Sequence, residues 1–68
     1  MSKKAAEYHK KASEHYARAA HHFGEAAKHH ETGNHEEAAH HATIARAHDI
    51  QGMEHAYEAR KTYAEDHG

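Results

Sequence analysis

Residues 5–32 read AAEYHKK ASEHYAR AAHHFGE AAKHHET, four renderings of one seven-residue phrase. Position one is always alanine (Ala5, Ala12, Ala19, Ala26), and position four is Tyr8, His15, His22 and then His29. Residues 38–62 keep the period, with Ala38, Ala45, Gly52 and Ala59 at position one and His41, His48, His55 and Thr62 at position four. A seven-residue period is close to two turns of α-helix, so each column runs along one helical face. Small residues in one column and rings in its neighbour predict helices that pack unusually closely.

The punctuation between the two halves is Thr32-Gly33-Asn34. Gly33 suits a left-handed helix C-cap, Asn34 suits an N-cap, and Glu36 and Glu37 complement the positive end of the helix that follows. Ser2 is a candidate cap at the other start. No proline interrupts the chain, and strong helix formers dominate it. The prediction is an all-α, antiparallel helical hairpin, a single domain over residues 1–68 with helices at about 3–31 and 35–66. Any bend in the second helix is expected over residues 48–52, which contain Gly52.

A turn centred on Gly33 sets His29 against Ala38, Ala26 against His41 and His22 against Ala45. Further along it sets Ala19 against His48, His15 against Gly52 and Ala12 against His55. Every position-four histidine thus meets a small residue. The two histidine columns share one side of the seam, so their rings should interleave in the order His29, His41, His22, His48, His15, His55. The expected step is about 5 Å, from a rise of about 1.5 Å per residue. Polar neighbours (Lys11, Arg18, Glu25, Gln51, Glu58) place that row at the solvent border.

Composition sets limits. Sixty-eight residues is near the size at which one core is marginal, and the chain has no Leu, Val, Trp, Pro or Cys. Its apolar content is mostly alanine, which buries little area. Association is therefore expected: a homodimeric four-helix bundle formed through Tyr16, Phe23, Ile50, Met53, Tyr57 and Tyr63. The absence of cysteine removes disulfides, thiolate zinc sites and thiol catalysis. A formal charge of −2 without a basic cluster argues against nucleic acid as partner. No apolar run reaches membrane-spanning length, and MSKKAAEY lacks the apolar segment of a secretion signal, so a soluble cytoplasmic protein is the expectation.

The compositional anomaly is 12 histidines, whose complete protonation would carry the net charge from −2 to +10. Imidazole is a common metal ligand, yet no two histidines here are three or four apart, the spacing at which one helix chelates an ion. Chelation across the seam is better served. One candidate group is His22, Glu25, His29 and His41; a second is His15, His48, His55 and Glu58. Nitrogen and oxygen donors of this kind suit zinc, nickel, cobalt or copper(II). Glu37-x-x-His40 fits the Glu-x-x-His element of di-iron bundles but sits beside the turn instead of mid-bundle. No activated nucleophile or glycine-rich phosphate loop is present, so the expectation is a non-enzymatic protein that binds or buffers divalent metal. The alternative is a self-associating structural or interaction module, stress- or pH-responsive, whose histidines serve as packing groups.

The segment GNHEEAAHHATIARA, residues 33–47, resembles the turn and second helix of a tetratricopeptide repeat, with Gly33, Ala38 and Ala45 at its small-residue positions. His22 stands where that family has an aromatic residue, and its proline is absent. Over most of its length, including EAAKHHETGNHEEAAHHA, the chain is similar to short Ala- and His-rich helical-hairpin proteins of proteobacteria. That resemblance implies the hairpin and brings no catalytic motif with it.

Overall fold

The computed structural model describes residues 3–68; the proposed Ser2 cap lies outside them. Two helices fill that span, α1 at Lys3–Glu31 and α2 at His35–His67, folded back on each other into a rod 51 × 13 × 11 Å. The second helix ends one residue beyond the expected boundary and runs through residues 48–52 without interruption. Gly52 is tolerated because it is buried and helical on both sides, where neighbouring turns hold the backbone.

The turn is a Schellman arrangement. Gly33 adopts φ 81°, a left-handed conformation that glycine enters without a Cβ penalty. The Asn34 N–H donates to the His29 carbonyl at 2.7 Å, and the Gly33 N–H donates to that of His30 at 3.1 Å. The Thr32 hydroxyl also reaches the His29 carbonyl, at 3.1 Å. Asn34 occupies the N-cap position of α2, but its side chain makes no capping hydrogen bond. The chain enters α2 at ψ 69° there, and the Asn34 carbonyl accepts from Ala38 N–H at 3.1 Å, so the backbone alone starts the helix.

Among the described residues, the buried ones are the position-one column and nothing else: Ala5, Ala12, Ala19 and Ala26 on α1, Ala38, Ala45, Gly52 and Ala59 on α2. Ala38, Ala45 and Ala59 are 0 % exposed, and among the described residues no large side chain is fully buried. Methyl-sized groups fill this seam, so the backbones approach closely and dispersion contacts between helix surfaces replace a conventional leucine core. The ring nearest Gly52 belongs to Tyr16: a methyl carbon built at Gly52 would stand 2.8 Å from Tyr16 Cε1. His15, next to Tyr16 in the chain, stacks between His48 and His55, as its place in the ladder predicts. Tyr16, Phe23, Ile50, Met53, Tyr57 and Tyr63 are all exposed, from 38 % to 58 %. No helix among the described residues is long and apolar enough to cross a membrane.

Candidate metal centre

The position-four columns interleave along one edge of the seam. His29 stacks on His41 with ring centroids 5.4 Å apart, His41 on His22 at 5.3 Å, and His22 on His48 at 5.9 Å. His48 then meets His15 at 5.5 Å and His15 meets His55 at 5.3 Å, with interplanar angles between 9° and 28° along the row. This is the expected order and step. Tyr8 extends the row by stacking on His55 at 6.5 Å. Its place in the position-four column was the sequence signal for that role. The corresponding residue of α2, Thr62, has no ring, and its hydroxyl donates to the Glu58 carbonyl at 2.8 Å.

Two steps of the ladder are hydrogen bonds as well as stacks. Nδ1 of His22 lies 3.0 Å from Nδ1 of His41, and Nδ1 of His15 lies 3.2 Å from Nδ1 of His48. Each contact needs one Nδ1–H to donate and the other Nδ1 to accept, so each pair holds complementary tautomers and at most one extra proton. Half-burial at the seam is the main reason the His15 imidazole is pushed below its ordinary proton affinity. Arg18, His55 and His48 push the same way, while Glu14 opposes them. His22 is depressed chiefly by the same desolvation, then by His21, His41 and His48, against an opposing pull from Glu25. Both rings therefore favour the neutral form that a metal requires.

Glu25, His29 and His41 each offer a ligand atom, and these atoms lie within 4.8 Å of one another. Among the described residues this is the one group of three or more acid or imidazole donors so arranged. Glu25 and His29 are one turn apart on α1, and His41 arrives from α2, so the group exists only in the folded hairpin. All three are half-buried, leaving room for water in the remaining coordination positions. His22, the fourth residue expected here, stands outside that span but touches His41. Glu25 also pairs with Lys28 at 3.7 Å, an exposed contact that yields readily to a divalent ion.

Of the second expected group, His15, His48 and His55 are neighbours in the ladder. Glu58 lines a shallow groove with Tyr8, His55, Ile50, Met53 and Tyr57. The adjacent pairs His21-His22 and His40-His41 sit edge-on, at 72° and 71°, and do not converge. A further pair had no separate reading in the sequence. His30 and His35 face each other across the turn with Nδ1 atoms 2.7 Å apart, exposed to solvent. Their positions immediately flanking a reversal were the available signal. Comparison of the chain with protein families, curated proteins and solved structures found no match.

Proposed function

We propose that the chain is a non-enzymatic, cytoplasmic protein that binds or buffers a divalent metal ion through Glu25, His29 and His41. The convergence of these three donors from two helices is the observation that carries the reading. Two imidazoles and a carboxylate with water in the open positions suit zinc, nickel, cobalt or copper(II). His22 supports the group by hydrogen-bonding His41 and holding its ring in one tautomer, as the outer shell of a metal site commonly does. Isothermal titration with zinc and nickel at neutral pH is the test. Sub-micromolar binding lost in His29→Ala/His41→Ala is expected. Millimolar binding indifferent to that substitution eliminates the site.

The partner in this reading is a second copy, completing a homodimeric four-helix bundle. The chain exposes 4924 Å², against about 4300 Å² expected for a compact protein of 7.7 kDa. The surplus approaches the share of about 800 Å² that one partner contributes to a standard interface. The exposed rings of Tyr16, Phe23, Tyr57 and Tyr63, with Ile50 and Met53, supply the anchors such an interface uses. A self-associating structural module without metal is the second reading, favoured by this exposed apolar surface. A dimer by sedimentation in the presence of chelator, with no zinc binding, selects it.

A further inference from the structure

The heptad builds its interhelical imidazole pair twice. His22–His41 and His15–His48 are the same contact one repeat apart, at 3.0 and 3.2 Å between Nδ1 atoms. Two nitrogens bound to one ion at about 2.0–2.1 Å are separated by about 3.3 Å on a tetrahedral edge and about 2.9 Å on a square one. Both pairs fall within that interval. An ion replacing the shared proton therefore needs the rings to turn their lone pairs toward it but needs little change in the separation of the nitrogens. His15 and His48 come from different helices and are half-buried against a seam of close-packed alanines. Their separation is thus imposed by the fold.

We propose that the ladder holds a second divalent ion on the His15–His48 edge, separate from the ion at Glu25, His29 and His41. This site goes beyond the one described above and shares no ligand with it. Its donors and its charged surroundings both differ. Three positions after His22 the heptad has Glu25, whereas three positions after His15 it has Arg18. The first site has a carboxylate; the second has a guanidinium whose charge reaches His15. The second site is consequently an all-nitrogen edge completed by water, selective for zinc, nickel or copper(II) over magnesium and calcium, which demand oxygen. It is also the weaker one. The two ions would lie about 15 Å apart along the rod, given a rise of about 1.5 Å per residue and an offset of fourteen residues on α1 and seven on α2. Their mutual repulsion in water lowers the second affinity by about fivefold at low salt, an effect that screening largely removes.

The test is zinc titration of the full chain, by calorimetry and native mass spectrometry at neutral pH. It is run with His30→Ala/His35→Ala so that the exposed turn pair contributes no ion. Two ions per chain are expected, the second weaker, with one remaining in His15→Gln/His48→Gln. Arg18→Glu, at an exposed position that leaves the seam intact, places a carboxylate where the heptad elsewhere has Glu25. It should tighten the weaker ion at least tenfold and leave the stronger one within a factor of a few. Circular dichroism establishes that each variant is helical. Should a glutamine variant not fold, copper(II) added to the folded His29→Ala/His41→Ala chain must broaden the ring resonances of His15 and His48. A single ion, unaffected by Arg18→Glu and lost in His29→Ala/His41→Ala, overturns the second site and leaves the first. Two ions insensitive to His15→Gln/His48→Gln also overturn it. No ion in any variant overturns both sites.

Discussion

Gly24 and Gly52 offer a matched pair of substitutions that asks whether the helices nest as described. Both lie inside helices, and replacing a helical glycine with alanine contributes about 0.8–1.0 kcal/mol through helix propensity alone. Their surroundings differ. A methyl at Gly24 meets nothing within 4 Å. One at Gly52 stands 2.8, 2.9 and 3.0 Å from Cε1, Cδ1 and Cζ of the Tyr16 ring, closer than real carbon contacts allow. Tyr16 is 38 % exposed, so its ring can swing outward, at the cost of an off-rotamer torsion and lost cover over the seam. Overpacking of this kind costs about 1–3 kcal/mol, which cancels or exceeds the propensity gain. Gly24→Ala should therefore stabilise the chain by about 1 kcal/mol, or roughly 4–8 °C in Tm for a domain of this size. Gly52→Ala should be neutral or destabilising by up to about 2 kcal/mol. In a Tyr16→Ala background Gly52→Ala should recover its gain, giving a coupling energy of about 1–3 kcal/mol. Thermal and urea unfolding followed by circular dichroism, at one fixed protein concentration, measures all four corners of the cycle. Equal stabilisation by the two glycine substitutions, or a coupling energy near zero, would refute the close approach of Tyr16 to Gly52 and with it the register of the hairpin.

Three further outcomes are expected. For the metal-free protein, His15 and His22 have depressed proton affinities, so the unfolded chain takes up protons first. The stability they confer is complete above the ordinary histidine value of about 6.5 and is lost as pH falls below it. Urea midpoints should fall from pH 7.5 to 5 and fall less steeply in His15→Gln; a flat or rising profile in the starting chain excludes the depressed pair. Zinc at a hundredfold excess over its Kd should raise stability by about 2.7 kcal/mol, reversed by chelator and absent in His29→Ala/His41→Ala. A chelator-insensitive melting temperature counts against a folded-state site. Phe23→Glu, placing a charge on a ring that is 50 % exposed, should halve the sedimenting mass with helicity retained. A monomeric starting chain rules out the dimer.

Much of the site was readable because the chain repeats. The order of the ladder followed from the column of His15, His22 and His29, the column of His41, His48 and His55, and a reversal at Gly33, since helical rise converts residue number directly into axial position. The same arithmetic brought Glu25, His29 and His41 together. It could not separate His22 from that group, because whether a ring nitrogen points toward a ligand cluster or a neighbouring imidazole is a torsional choice, and both outcomes occupy one axial level. The His30–His35 pair escaped notice for a related reason. Five residues apart is not a helical spacing, and only the Schellman turn folds those two rings onto each other. Asn34 had the composition of a cap, but its side chain is not used; its backbone serves both helices, the N–H donating to the His29 carbonyl and the carbonyl accepting from the Ala38 N–H.

Everything governed by period was already written in the residues: two helices, the stripe of small residues they share, and the axial order of the rings along it. Such properties depend on the regular geometry of the α-helix and on one glycine able to take φ 81°. How the rings turn about that stripe was settled by the folded hairpin alone. It set Tyr16 over Gly52, fixed two Nδ1 pairs at hydrogen-bond distance, and drew one carboxylate toward two imidazoles of different helices. The physical reason is that a methyl-sized seam fixes the backbones within close limits but leaves side chains at its edge several staggered orientations, among which packing against the opposite helix chooses.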